Sequence, residues 1–314
     1  MNDKTKAYLA LIYICIAWGT TYLLIKIGVE AYPAAFLFAG VRQVLAGLIL
    51  FGIGLATNKN RDYSRKNILR QAFVGFLLLT CGNGLVTWSE KHIPSGIAAL
   101  ICSLMPIFAV VFTLSGPGKE KINPLIATGL ILGVVGVGFI VKDEISFQSQ
   151  TMYLYGIIGT LIATCTWAFG SVKNKKYPTP ANPMFNSGLQ LLFGGLFMLL
   201  ISPAVDDYTG IWVWKTDGMV SLALLIVFGS VIAYAAYIFA LRTLPVGITT
   251  LYAYVNPLVA VLMGYFFYSE ELNLDTAIAF FTIITGVYLV NAGYRRQQRP
   301  QAPTQIQAQP AGDA

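Results

Sequence analysis

Apolar runs of membrane-crossing length follow one another through almost the whole chain, separated by short polar connections. A helix needs roughly 20 such residues to span hydrocarbon. About ten stretches of that kind can be read, over 7–28, 34–55, 69–89, 94–115, 124–142, 152–173, 183–203, 218–242, 246–268 and 273–294. In lipid the backbone has no water to bond, so each stretch must satisfy its own N–H and C=O groups as a helix. With 56% hydrophobic and only 11% charged residues among 314, a water-soluble globular fold is excluded. The first stretch is too long for a cleaved signal peptide and lacks a small-residue cleavage site, so it reads as a retained helix. Residues 295–314 are rich in Gln, Pro and Ala and read as a disordered tail.

Charge orients these spans. With the N-terminus placed in the cytoplasm, the inside segments carry Lys4, Lys6, Lys59, Arg61, Arg65, Lys66, Arg70, Lys119, Lys121, Lys173, Lys175, Lys176, Arg242, Arg295, Arg296 and Arg299. Only Lys91, Lys142 and Lys215 fall outside, while Glu30, Glu90, Asp206, Asp207, Asp217, Glu270 and Glu271 face outward. That is the positive-inside pattern, with both termini cytoplasmic. The net charge of +7 is dispersed over loop ends rather than gathered in one patch, which argues against nucleic-acid binding. Cys15, Cys81, Cys102 and Cys165 form no CxxC or Cys/His pair, so neither a disulfide nor a metal site is indicated, and no cofactor motif is present.

The chain also repeats itself. The segment Pro94–Leu100 (PSGIAAL), running on to Met105 and Pro106, returns as Pro245–Leu251 (PVGITTL), running on to Asn256 and Pro257. Around it, Trp18 aligns with Trp167, Lys26 with Lys175, Gln43 with Gln190, and Trp88 with Phe239. Each copy holds five spans, an odd number, so the second must enter the membrane with reversed polarity. The expected architecture is an all-α membrane protein of ten transmembrane helices in two inverted-topology repeats, 1–145 and 150–294. Duplication of this kind is common in carriers, whose substrate lies between the repeats.

On the residues Ala17–Thr21 (AWGTT), Arg42, and the paired Pro-x-Gly-Ile starts with their internal Pro106 and Pro257, the chain resembles the EamA-type family of the drug/metabolite transporter superfamily. The resemblance runs over roughly residues 7–294. It implies a ten-helix permease of the bacterial inner membrane that moves small metabolites, often amino acids, commonly outward. It also implies a central cavity lined mainly by spans 1, 3, 4, 6, 8 and 9, with 5 and 10 peripheral.

Polar side chains lose hydration in hydrocarbon, so polar faces should look toward protein or water. Helical spacing collects Thr80, Asn83 and Thr87 on the third span and Thr164, Trp167 and Ser171 on the sixth. It also collects Ser230, Tyr234 and Tyr237 on the eighth, and Thr249, Tyr252 and Asn256 on the ninth. The candidate substrate-binding residues are Trp18, Thr21, Arg42, Asn83, Trp88, Trp167, Ser171, Tyr234, Tyr237, Tyr252 and Asn256. Each also has a plainer reading, as an interhelical hydrogen bond or as packing. Arg42 should lie roughly 12 Å deep in the second span, where an unpaired charge costs about 3 kcal/mol or more. It either attracts an anionic group of the substrate or ties helices together. Lys26 should reach the interface by snorkelling, with Glu30 one turn on. Pro106 and Pro257, inside the fourth and ninth spans, should kink them as hinges or as static bends.

No Asp or Glu falls mid-span, and no phosphate-binding loop is present, so embedded-carboxylate antiport and direct ATP coupling are disfavoured. Nor is there a catalytic constellation, so the chain is read as no enzyme. The reading is a carrier for small zwitterionic metabolites, amino acids foremost, working by alternating access; the alternatives are efflux of hydrophobic drugs and proton-coupled antiport. Its partners are a small-molecule substrate and the lipid bilayer. Gly129 and Gly133 form a GxxxG face that could pack within one chain or between two, leaving monomer and homodimer open.

Overall fold

Seven helices of the computed structural model are long and apolar enough to cross a bilayer, and three shorter apolar helices accompany them. The structure describes residues 2–57, 60–114, 123–141, 151–176, 181–209, 211, 213, 215–244 and 252–297. In chain order the helices are α1 (Asp3–Ala31), α2 (Ala35–Thr57), α3 (Arg65–Ser89), α4 (Ser95–Cys102) and α5 (Met105–Leu114). After them come α6 (Pro124–Val141), α7 (Thr151–Lys176), α8 (Pro183–Val205), α9 (216–243), α10 (Tyr252–Tyr268) and α11 (Leu274–Gln297). The described residues contain no strand. Leu48, Ile131, Val134, Leu200, Phe266 and Phe281 are each more than half exposed, a surface that only lipid can cover.

Helix starts follow local chemistry. Asn2 accepts from Thr5 N at 2.8 Å, Ser64 from Asn67 N at 3.2 Å, and Asn182 from Met184 N at 3.0 Å beside Pro183 in the first turn. Two starts are capped from far along the chain. The Asp206 carboxylate accepts from Phe36 N (3.2 Å) and Leu37 N (2.8 Å) at the head of α2. Glu270 accepts from Ser95 N (2.7 Å) and Gly96 N (3.1 Å) at the head of α4. An anion at a helix N-terminus is favoured by the free N–H groups and the helix dipole. Asp206 and Glu270 are therefore bound into the bundle rather than loose in a loop.

Close packing depends on missing Cβ atoms at two crossings. A Cβ on Gly47 would lie 2.7 Å from Leu192 N, and one on Gly188 2.5 Å from Phe51 N, so α2 and α8 meet backbone to backbone. Gly129 and Gly286 face each other the same way, each Cβ position 2.5–2.7 Å from the other's carbonyl oxygen. The Gly129 face is thus spent on α11 of the same chain.

The fourth apolar stretch departs from its expected form. Pro106 does not kink one continuous helix, because the helix ends at Cys102 and α5 begins at Met105. Proline lacks the N–H that would bond residue 102 and its ring crowds that carbonyl. In the first turn of a new helix neither matters. Ser103 supports the break by donating its hydroxyl to Leu100 O at 2.6 Å. Pro257, by contrast, stays inside α10. Two other helices widen without breaking: Phe76–Gly84 in α3 and Leu225–Ile232 in α9 are π-helical, a rare geometry that recurs at functional sites.

Candidate substrate-binding site

The wide turns of α9 form the hub. A Cβ on Gly229 would sit 2.8 Å from Thr21 Cγ2 and 3.5 Å from Arg42 Nη2, so its absence lets α1 and α2 close on this point. Trp18 donates its indole N–H to Gly229 O at 3.1 Å, and Tyr13 donates to Phe228 O at 3.0 Å. Arg42 donates Nε–H to Ser230 Oγ at 3.2 Å. Four elements of the sequence pattern (Trp18, Thr21, Arg42 and Ser230) therefore meet around one glycine.

An aromatic wall adjoins the hub. The Trp18 ring lies 5.0 Å from Tyr252, nearly edge-on, and 5.4 Å from Tyr237. Tyr237 is 6.0 Å from Tyr252 and 6.3 Å from Tyr234, whose hydroxyl bonds Ser187 Oγ. Such rings offer an apolar, polarisable surface with polar tips. Arg42 is only 5% exposed, and its Nη1 has no hydrogen-bond partner. Among the described residues it makes no ion pair. Its planar fork suits a carboxylate, so wall and cation together can hold a molecule with an apolar body and an anionic end.

Other candidate residues lie elsewhere or are already occupied. Asn256 is buried, and its amide nitrogen, oriented to satisfy both carbonyls, bridges Tyr252 O (2.9 Å) and Cys15 O (3.1 Å). Asn83 accepts from Gln43 Nε2 at 2.9 Å. Trp167 packs over Gly82 in the wide turns of α3, and Ser171 returns its hydroxyl to Trp167 O at 2.8 Å. Trp88 packs against His92 with centroids 4.8 Å apart. Thr249 lies outside the described residues. Two cavities open near the end that the charge pattern places outside. The larger, about 860 Å³, is lined by Leu24, Glu30, Lys215, Asp217, Ser221 and Tyr268 among others. The other is bounded by Tyr32, Phe38 and Met219. Neither reaches the aromatic wall, whose rings stand in mutual contact.

Two residues behave differently from their sequence reading. Lys26 does not snorkel: its side chain is 14% exposed, donates to Glu90 O at 2.8 Å, and lies 3.4 Å from Glu30 Oε1. Glu90 is not an outward loop acid but wholly buried, with both carboxylate oxygens unpartnered. A signal for it existed. Asn83, Thr87 and Glu90 continue one helical stripe at spacings of four and three.

A model of the EamA-like transporter family matches residues 5–142 and again 154–292. The uncharacterized inner membrane transporter YedA of Escherichia coli (strain K12) is 34% identical over 287 residues, 90% of each chain. The uncharacterized transporter YvbV of Bacillus subtilis (strain 168) is 26% identical over 94% of each. A solved crystal structure superposes with a TM-score of 0.62 at 18% identity, covering 94% of this chain and 99% of that one, a likeness of fold alone.

Proposed function

The chain belongs to the EamA-like transporter family and is a membrane transporter of small molecules; from that premise we propose that it carries zwitterionic metabolites, amino acids foremost, out across a bacterial inner membrane. The observation that carries the cargo class is Arg42, a buried guanidinium with an unpartnered nitrogen at Gly229, whose carbonyl takes the indole N–H of Trp18, the ring against which Tyr237 and Tyr252 pack. An α-carboxylate would satisfy the free nitrogen, and the rings would take an apolar side chain. The name of the Escherichia coli relative supports the inner-membrane location.

The proposed architecture is ten spans in two inverted five-helix repeats with both termini cytoplasmic. Seven long apolar helices and three shorter apolar segments, with α4 and α5 taken as one broken span, are compatible with that number, and the two ranges matched by the family model support the division near 145–150. The meeting of α2 with α8 and of α6 with α11 pairs helices that correspond under the repeat. In this reading the repeats rock about the Gly229 hub, opening the aromatic wall to either side in turn, with Pro106 and Pro257 as the hinge positions.

The test is counterflow in liposomes with labelled amino acids, sugars and aromatic cations, each with and without a pH gradient. Accumulation of amino acids that Arg42→Gln abolishes supports the reading. Gradient-driven uptake of aromatic cations with no amino-acid signal replaces it with drug efflux.

A further inference from the structure

We propose that Glu90 binds the ammonium group of the cargo while Arg42 holds its carboxylate, so that the two residues select molecules carrying both charges. This rests on the zwitterion reading above and adds its second half.

The argument starts from what is left unpaired. Buried polar atoms in folded proteins nearly always have partners. Among the described residues, the buried side-chain atoms without one belong to Arg42 and Gln43 on α2 and to Ser89 and Glu90 at the end of α3. Two of these carry opposite formal charges and lie against neighbouring turns of α1, Arg42 where Thr21 meets Gly229 and Glu90 where its carbonyl takes Lys26. Yet they form no ion pair within 4.0 Å. A lone buried charge is unfavourable, and the simple remedy, direct contact, has not been taken. A dipolar ligand lying between them would satisfy Arg42 Nη1 at one end and the Glu90 oxygens at the other.

The other charged groups near Glu90 are engaged. On α1, Lys26 is held by Glu90 O and Glu30, and the Tyr22 hydroxyl is bonded to Cys102 at the end of α4. After α10, Glu270 caps α4 through Ser95 and Gly96. In the α3–α4 turn, Lys91 donates to Pro33 O at 2.8 Å. His92 packs on Trp88, and burial together with Lys91 and Lys26 holds it below the usual histidine range, hence neutral at pH 7. That leaves the Glu90 carboxyl as the free acceptor. It also lies behind a polar approach, since Glu30 lines the 860 Å³ cavity and Lys26 bridges Glu30 to Glu90 O.

Glu90 is the first residue past the third span. Burial raises its carboxyl well above the usual range; Lys26 and Arg42 oppose this and Glu270 adds to it. The uncharged, protonated form is the one that burial favours. When the cargo arrives, its ammonium group takes the place of that proton, which leaves to water. Proton and cargo compete, and acidification weakens cargo binding.

The experiment uses full-length protein in liposomes, with labelled L-phenylalanine as probe, chosen to match the aromatic wall. Unlabelled phenylalanine, phenethylamine (no carboxylate) and 3-phenylpropanoate (no ammonium) serve as competitors. In the wild type only phenylalanine should compete, and its apparent affinity should fall by up to roughly tenfold per unit of pH once Glu90 is protonated. Glu90→Gln should weaken phenylalanine at least roughly tenfold, flatten the pH profile and leave 3-phenylpropanoate unaffected; Glu90→Asp should restore part of the pH dependence. Unchanged affinity and pH profile in Glu90→Gln would overturn the proposal while leaving the zwitterion reading intact. If Glu90→Gln does not fold, the wild type decides, because effective competition by 3-phenylpropanoate overturns it equally. No counterflow of any amino acid by the wild type removes both readings.

Discussion

Two tryptophans occupy corresponding places in the two halves of the chain, and their surroundings differ. Trp18 of α1 packs on the wide turns of α9, and Trp167 of α7 packs on the wide turns of α3. The backbone device is the same: a π-helical stretch with a glycine, Gly229 or Gly82, faced by an indole from the opposite half. Tyr237 and Tyr252 stand against Trp18, and Arg42 reaches the same glycine while donating to Ser230. On the side of Trp167, Gln43 Nε2 donates to Asn83 Oδ1, while Gln43 Oε1 stays unpartnered. The common scaffold fits the proposed duplication, and divergence of a few side chains sets a buried charge near Gly229 and a neutral amide pair near Gly82.

The sharpest way to break this contrast is charge removal. Arg42→Gln should lower transport roughly hundredfold, since truncating a functional buried charge costs about 2–5 kcal/mol. Asn83→Ala, on the other side, should lower it less than about fivefold, the value of one neutral hydrogen bond. Equal losses, read as counterflow rates in liposomes, would erase the asymmetry. The shared scaffold is tested next. Gly47→Val should destabilise by about 1–3 kcal/mol by overpacking α2 against α8. Gly52→Val, with nothing within 4 Å of its Cβ position, should leave the melting temperature nearly unchanged.

A smaller effect separates the tryptophans themselves. Trp18→Phe deletes the bond to Gly229 O and should raise KM by about fivefold, near 1 kcal/mol; Trp167→Phe should stay within about twofold. A larger effect at Trp167 would move the site to the other half. Least of all, Pro106→Ala should change stability by less than about 1 kcal/mol, because proline in a first turn removes no helix bond. Pro257→Ala, inside α10, should stabilise the helix measurably and slow turnover if the bend is used in opening. Thermal melts and counterflow rates on the pair distinguish the two prolines.

How much of the site was legible follows from what kind of information each residue needs. Trp18, Arg42, Tyr237 and Tyr252 stand out in the sequence because they are costly or unusual in apolar spans. The meeting of Trp18 and Arg42 at Gly229 was not legible, since the carbonyls of α9 turn toward α1 only through wide helical turns that no periodicity announces. Glu90 was misplaced for a related reason. A span end is read from hydropathy, and hydropathy cannot tell an acid that leaves the bilayer from one folded back beneath a neighbour. Asp206 and Glu270 likewise read as loop charges but cap helices far away in the chain.

Sequence alone determined the material and its division: helices, because lipid leaves backbone groups no other partner, and a doubled set of them, because the repeat is written in the residues. Tertiary structure decided which polar groups remained unpaired. Pairing depends on distances between helices, and those are set by glycine crossings and wide turns whose outcome appears only when all the helices are packed together.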